Sequence, residues 1–177
     1  MSYHHLALAA KDMKATHNFY ENIMGFELVK VEVAPLPGGG WGKHFFYRMG
    51  GDDTTFIAFW ELNDVPNHDE LQFDLNVAGN MPDGTNHYSF SVDSMDELEA
   101  WRAKWQAAGL AVLEIDHNWC HSVYTKDPNG NFVEFCLTTG VFDDATRAEA
   151  LAMLDETDFK PSPAPAKIEA HAAQAAE

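Results

Sequence analysis

The sequence contains one internal repeat, and this repeat limits the folds that the chain can adopt more than any other feature. Residues 5–33, HLALAAKDMKATHNFYENIMGFELVKVEV, can be set beside residues 87–115, HYSFSVDSMDELEAWRAKWQAAGLAVLEI. Each copy begins with a histidine at the head of a strictly alternating segment. Such alternation predicts a strand with one large apolar face and one face of small residues. In both copies the histidine falls on the small-residue face, so we expect a fold of two equivalent modules.

Each alternating segment runs into an amphipathic helix and then into further strands. In the second copy, Ser94 is a suitable N-cap and Gly109 a suitable helix stop. Gly25 ends the helix of the first copy. Three strands follow in each copy, and the last two strands of the second copy are joined by an Asp-Pro-Asn-Gly turn at 127–130. This order predicts an α+β fold built from two βαβββ modules.

The boundaries of the modules follow from this pattern. We predict a first module at residues 1–61, a linker at 62–85 and a second module at 86–140. Residues 141–177 are expected to form a C-terminal helix and a mobile Pro/Ala-rich tail to which no chemistry is assigned. All four segments belong to one structural domain, and the two half-cups would leave a concave, polar-lined space between them.

Composition excludes several classes of partner. The chain has 28 Asp and Glu against 11 Lys and Arg, a formal net charge of -17. No basic patch is visible, so binding to nucleic acid or to an anionic membrane is not expected. The start of the sequence lacks a signal-peptide pattern, and no apolar run is long enough to span a bilayer. With only Cys120 and Cys136, and no CxxC pair, we expect a cytoplasmic protein with reduced thiols.

Three residues occupy comparable places in the predicted modules. His5 and His87 each begin the first strand of their module, and Glu134 lies in the final strand of the second. Two imidazoles and one carboxylate suit a divalent 3d metal, because they fill one face of the ion and leave the other open. We therefore predict a metal site formed by His5, His87 and Glu134. His4 falls on the opposite face of its strand, and His171 in the tail is expected to be structural or exposed.

The segments HLALAAKDMKATHNFYENIMGFEL and DPNGNFVEF resemble the vicinal oxygen chelate superfamily over about residues 3–138. This superfamily includes glyoxalase I, extradiol ring-cleaving dioxygenases, fosfomycin resistance proteins and methylmalonyl-CoA epimerase. The resemblance implies paired βαβββ modules that close around a divalent metal, and it favours a homodimer.

Residues 115–135 resemble the extradiol dioxygenase signature within that superfamily. The matching elements are Ile-Asp-His at 115–117, Val-Tyr at 123–124, the turn at 127–130 and Glu134. The resemblance makes Glu134 the metal carboxylate, while His117 and Tyr124 would hydrogen-bond to the substrate or to bound oxygen. It implies a dioxygenase that uses Fe(II) and O2 on a small catechol-like or vicinal-diol substrate, with Mn(II), Zn(II) and Ni(II) left open by the ligand types.

Two departures keep other activities open. Ring-cleaving members carry an acid-base histidine near the fourth strand of the first module, where this sequence has Thr55, so His44 or His68 would have to replace it. Glyoxalase I requires an acidic ligand at a position that here holds Ala58, and Glu61 would face the other way. The alternatives are a glyoxalase I-like lyase or isomerase, and a non-catalytic drug-binding protein of the bleomycin-resistance type, which would need no metal trio. The sequence does not identify the substrate.

Overall fold

The computed structural model describes residues 3–50, 54–158 and 160–174. One sheet consists of four strands in the order β1-β4-β3-β2, namely β1 His5–Ala10, β2 Glu27–Pro35, β3 Trp41–Arg48 and β4 Phe56–Asn63. The other consists of five strands in the order β5-β8-β7-β6-β9, namely β5 His87–Ser91, β6 Val112–Asp116, β7 Cys120–Lys126, β8 Phe132–Thr138 and β9 Lys167–His171. The α+β prediction of two βαβββ modules is confirmed.

The helices begin and end where local chemistry dictates. They are α1 Met13–His17, which continues as a π-helical segment Asn18–Ile23, α2 Leu75–Ala78, α3 Met95–Ala107 and α4 Asp144–Ala152. Ser94 caps α3 by accepting a hydrogen bond from the Glu97 backbone N–H, and Glu97 in turn accepts from the Asp93 N–H. None of the helices in the described ranges has the length and apolar character needed to cross a bilayer.

The chain divides into two compact units, each with its own core. The first comprises residues up to His87 together with Lys126–Val133, and the second comprises Tyr88–Thr125 together with the chain from Glu134 onward. In the first unit Tyr20 and Phe59 are fully buried, with ring centroids 4.5 Å apart. In the second unit Trp101 stacks on Phe135 at 4.1 Å, and Trp105 is fully buried beside it. Each such aromatic contact adds about 0.5–1.5 kcal/mol to the effect of area burial.

The predicted linker at 62–85 packs as part of the first unit. It contains a 3-10 turn, His68–Glu70, and helix α2. Asn76 is 2% exposed, donates its side-chain N–H to the Asn86 carbonyl and accepts the Asn86 backbone N–H at 2.7 Å. A buried amide that satisfies its donors and acceptors in this way fixes the path of the segment.

Strand β9 comes from the tail, where the sequence analysis expects mobile chain. Residues 167–171 pair antiparallel with β6, placing Glu169 opposite Glu114 and His171 opposite Val112. Without β9, strand β6 would be an edge with unpaired backbone donors and acceptors. Composition did not reveal the strand, because its pairing partner lies more than fifty residues earlier in the chain.

Candidate metal and substrate site

Five polar side chains share one face of the second unit's sheet. Cys120, Ser122 and Tyr124 alternate along β7, so they point to the same side, and Glu134 and Cys136 meet them from β8. The Cys120 Sγ lies 3.9 Å from the Ser122 Oγ and also contacts the Cys136 thiol. Cys120, Ser122 and Glu134 are buried. We call these five residues the β7/β8 face.

Tyr124 links this face to His117. The His117 Nε2 lies 3.0 Å from the Tyr124 hydroxyl, and the same hydroxyl forms hydrogen bonds with Glu134 and Ser122. Burial, followed by the neighbouring Glu134 carboxylate, raises the pKa of Tyr124 above its ordinary value. The phenol therefore stays protonated at neutral pH and remains a hydrogen-bond donor. His117, Tyr124 and Glu134, which the sequence analysis singled out from one signature, form a connected chain.

The turn in the middle of that signature has a structural task within the first unit. The Asp127 carboxylate accepts the Asn129 and Asn131 backbone N–H groups at 2.9 and 3.0 Å and the Tyr20 hydroxyl at 3.0 Å. Gly130 has a φ of 93°, and a Cβ there would lie 2.9 Å from an Asp74 carboxylate oxygen. The Asp-Pro-Asn-Gly residues are thus needed to form and anchor the turn, which leaves the flanking residues for chemistry.

One face of the first unit's sheet carries His5 and a second, buried histidine. Strand register places Ala9, Trp60 and His44 side by side, and Ala9 shares its face of β1 with His5. His44 is 7% exposed and stacks on Trp60 with ring centroids 4.0 Å apart. Its Nε2 is buried without a hydrogen-bond partner among the described residues.

Of the two histidines that could replace the missing acid-base residue, His44 shares the face of His5. Burial, followed by the charge of His5, lowers the pKa of His44, so its ring is neutral near pH 7. His68 lies instead on the 3-10 turn, where its ring meets Phe73, and it is exposed. Thr55 directly precedes β4.

The two predicted histidine ligands belong to the first unit, and Glu134 belongs to the second. The His87 Nδ1 lies 2.9 Å from the Gly84 carbonyl, which can only accept, so Nδ1 carries the proton and Nε2 carries the lone pair. The Nδ1 atoms of His5 and His4 lie 2.8 Å apart, so these neighbours approach each other although they alternate along the chain. Convergence of His5, His87 and Glu134 on one ion stays a prediction.

Strand β4 offers no acidic ligand on the face of the sheet that carries His5. Ala58 is fully buried at the position where a glyoxalase I-like enzyme would need a carboxylate. Glu61 is opposite Lys43 in the register and forms an ion pair with it at 2.8 Å. The Glu61 side chain therefore lies on the side of the sheet opposite His5, where its carboxylate is paired with Lys43.

Sequence analysis missed a cluster on the opposite side of the second unit's sheet. The carboxylate of Glu114 on β6 accepts hydrogen bonds from His121 on β7 and from Lys167 and His171 on β9, at 2.8 to 2.9 Å. Burial alone would raise the pKa of Glu114, but the hydrogen bonds from Lys167, His121 and His171 outweigh it and lower the pKa to about 2. We call Glu114, His121, Lys167, Glu169 and His171 the Glu114 cluster. The alternating polar residues of KIEAH were the only sequence signal for it.

Comparison with known proteins supports these features at the level of the fold and family. A protein of Bacillus subtilis (strain 168) named "probable trivalent organoarsenical cleaving enzyme" is 29% identical over 144 residues, covering 78% of this chain and 81% of that protein. A glyoxalase/bleomycin resistance protein/dioxygenase domain from Frankia sp. EAN1pec has a TM-score of 0.59 at 19% identity, covering 78% and 98% of the two chains. The lactoylglutathione lyase of Agrobacterium tumefaciens has a TM-score of 0.51 at 24% identity, covering 77% and 92%.

The family model covers three quarters of the chain. The model of the Glyoxalase/Bleomycin resistance protein/Dioxygenase superfamily matches residues 2–135, which include both modules up to β8. Members of this superfamily typically bind a divalent metal. With the paired βαβββ modules described above, this match shows that the chain belongs to the Glyoxalase/Bleomycin resistance protein/Dioxygenase superfamily.

Proposed function

We propose that the protein is a metal-dependent, extradiol-type dioxygenase that opens the ring of a small catechol-like or vicinal-diol substrate with O2. The hydrogen-bonded chain of His117, Tyr124 and Glu134 carries this proposal. Membership of a superfamily that includes dioxygenases supports the proposal.

The proposed metal ligands are His5, His87 and Glu134. Their donor set of two imidazoles and one carboxylate fits a divalent 3d ion. The hydrogen bond from the His87 Nδ1–H to the Gly84 carbonyl is the kind of outer contact that orients metal-binding histidines. Fe(II) held by this set would provide a path for electrons from the diol to O2, while Mn(II), Zn(II) and Ni(II) are the competing ions to test.

The remaining residues would handle the protons of the substrate. A diol hydroxyl must lose its proton before the ring can react, and we propose the His117 imidazole as the base that accepts it. The protonated Tyr124 hydroxyl would then donate a hydrogen bond to the resulting oxyanion. His44, a neutral imidazole on the face of His5, is proposed as the second acid-base residue in place of Thr55.

A second candidate function is cleavage of a trivalent organoarsenical, the activity named for the Bacillus subtilis relative. The thiol pair of the β7/β8 face favours it, because soft elements prefer sulfur ligands. Burial, followed by the contact with Cys136, raises the pKa of Cys120 to about 12, so the Cys120 sulfur would enter as a thiol and release its proton on binding.

The test is oxygen uptake by anaerobically purified, Fe(II)-loaded protein. The panel contains catechols and hydroquinones, a trivalent aryl arsenical and a glutathione hemithioacetal. Iron-dependent uptake with one diol, abolished in His87→Ala and kept in the matched control His68→Ala, would support the dioxygenase. Release of inorganic arsenite from the arsenical alone would favour the second candidate. Turnover of the hemithioacetal without oxygen uptake would replace both with a lyase.

A further inference from the structure

The Glu114 cluster gathers metal-ligating side chains from three strands. Register places Glu114 on the side of β6 that faces His121, and it places Glu169 directly opposite Glu114 on β9. His121 alternates with Cys120 and Ser122 along β7, so the cluster lies on the opposite side of the sheet from the β7/β8 face. We propose that the Glu114 cluster is a second metal site, selective for a zinc-like divalent transition ion, that fastens β9 to β6. This proposal does not depend on the proposed function.

The distances suit four-coordinate binding. The His121 Nε2 lies 2.9 Å from one oxygen of Glu114, and the His171 Nε2 lies 2.8 Å from the other. Ligand atoms of Glu114, Glu169 and His171 all lie within 4.8 Å of one another. Ligands at 2.0–2.2 Å around tetrahedral zinc are separated by about 3.3 Å. The His171 imidazole would therefore move away from Glu114 by only about 0.5 Å to admit an ion, and water would complete the four-coordinate shell of Glu114, Glu169 and His171.

The charge of the cluster matches a divalent ion. Lys167 places its Nζ 2.8 Å from a carboxylate oxygen of Glu114 and 2.8 Å from one of Glu169, between the two acids. Its side chain is 44% exposed, so it can turn into solvent when an ion takes its place. Arg102 is 3.6 Å from Glu114 and is also paired with Glu99. With Lys167 displaced, the carboxylates of Glu114 and Glu169 carry a net charge of about -2, since the charges of Arg102 and Glu99 offset each other. A divalent ion would neutralise this charge.

An entry path lies beside the ligands. A cavity of about 260 Å³ is lined by apolar residues, which include Met95, Leu98 and Val123, and by polar residues, which include Glu114, His121 and Lys167. An ion can therefore reach Glu114, although that carboxylate is only 7% exposed. Because Glu169 and His171 belong to β9 and Glu114 belongs to β6, a bound ion would join these two strands and hold the tail in place.

The experiment measures Zn²⁺ and Co²⁺ binding to the full chain by equilibrium dialysis, with visible spectroscopy of the cobalt form. His87→Ala serves as the background, because it removes a ligand of the proposed catalytic trio. We expect one tightly bound ion per chain in that background and the intense absorption of four-coordinate cobalt. Adding Glu169→Gln should weaken binding at least about tenfold, and His171→Ala should weaken it further. The matched control Glu149→Gln, on the exposed surface of α4, should leave binding unchanged.

The Lys167→Met variant distinguishes a metal site from a cluster that consists only of ion pairs. Removing the competing ammonium should tighten Zn²⁺ binding about tenfold if the ion takes its place, and zinc should slow amide exchange across residues 167–171. Two outcomes would overturn the proposal. One is the absence of a tight ion in both His87→Ala and His87→Ala/Lys167→Met. The other is equal weakening by Glu149→Gln and Glu169→Gln, which would indicate adventitious surface binding.

Discussion

The four strands of the first sheet and the first four of the second follow the same order, but the two sheets carry different chemistry. On the face that carries His5, the first sheet presents alanines, Phe46 and Trp60 around His5 and His44, whereas the β7/β8 face of the second presents a tyrosine, a serine, two thiols and a carboxylate. The repeat thus determines the backbone topology, while the side chains on equivalent strands differ. Similar modules should not be expected to contribute equally to one reaction.

The outer strands differ as well. Strand β2 ends its sheet, and Val29, Val31 and Val33 on it are 41 to 66% exposed. Its counterpart β6 is covered by β9 and keeps Glu114 buried. The first copy has Lys30 where the second has Glu114 when the two are matched from Gly25 and Gly109. One outer strand has therefore gained a covering strand and a charged cluster that the other lacks.

The largest expected effect comes from the acidic residues that distinguish the two sheets. Glu134→Gln should lower metal affinity at least about 100-fold, because it removes the only carboxylate of the proposed trio. Glu61→Gln on β4 is the matched change in the first sheet, where the carboxylate pairs with Lys43. Metal content after dialysis measures both, in a Glu169→Gln/His171→Ala background that removes the ligands of the Glu114 cluster. Equal losses in the two variants would mean that the first sheet supplies a ligand.

The next effect concerns one tyrosine from each unit, Tyr124 and Tyr47. Tyr124→Phe should lower turnover by about 100-fold while metal content stays constant, since it removes a donor to the substrate oxyanion. Tyr47→Phe in the first unit removes a hydroxyl 3.0 Å from the His17 Nδ1. It should cost about 1 kcal/mol of unfolding free energy and leave the turnover unchanged. An unchanged rate in Tyr124→Phe would reduce Tyr124 to a packing residue.

A smaller effect is the pH dependence that Glu114 gives to the second unit. Its pKa in the folded protein is about 2, below the ordinary value of 4.5. The stabilisation is therefore complete above about pH 4.5 and is lost as the pH falls towards 2, by about 1–3 kcal/mol in total. Glu114→Gln should flatten this part of the curve in urea unfolding, whereas Glu32→Gln on β2 should not. A wild-type slope in Glu114→Gln would show that other carboxylates dominate.

The smallest effect tests whether β2 is an uncovered edge strand in solution. Val31 is 42% exposed on β2, and Val31→Thr should change the unfolding free energy by less than about 0.5 kcal/mol. Val112 on β6 is 2% exposed, and Val112→Thr should cost about 1–2 kcal/mol because it buries a hydroxyl. A cost at Val31 as large as that at Val112, with dependence on protein concentration, would indicate that a second copy covers β2.

Local features of the fold were readable from the sequence. Ser94, Gly109 and the turn at 127–130 act through contacts within a few residues, and the structure has all of them as predicted. The pairing of His117 with Tyr124 was also accessible, since seven residues separate them across one hairpin. The Glu114 cluster was not, because Lys167 and His171 lie 53 and 57 residues away in a tail whose composition indicates mobility. Burial of His44 depends on its neighbour across the sheet, Trp60, which alternation alone cannot identify.

The division of the chain also has a consequence for synthesis on the ribosome. The first unit needs Lys126–Val133, since Asp127 satisfies the Tyr20 hydroxyl and Asn131 accepts the Leu75 backbone N–H. A nascent chain that has emerged only to His87 leaves these groups without their partners. Domains commonly fold from the N-terminus as they emerge. We therefore expect the first unit to complete its packing only after residues 126–133 have left the exit tunnel, when most of the second module has also been synthesised.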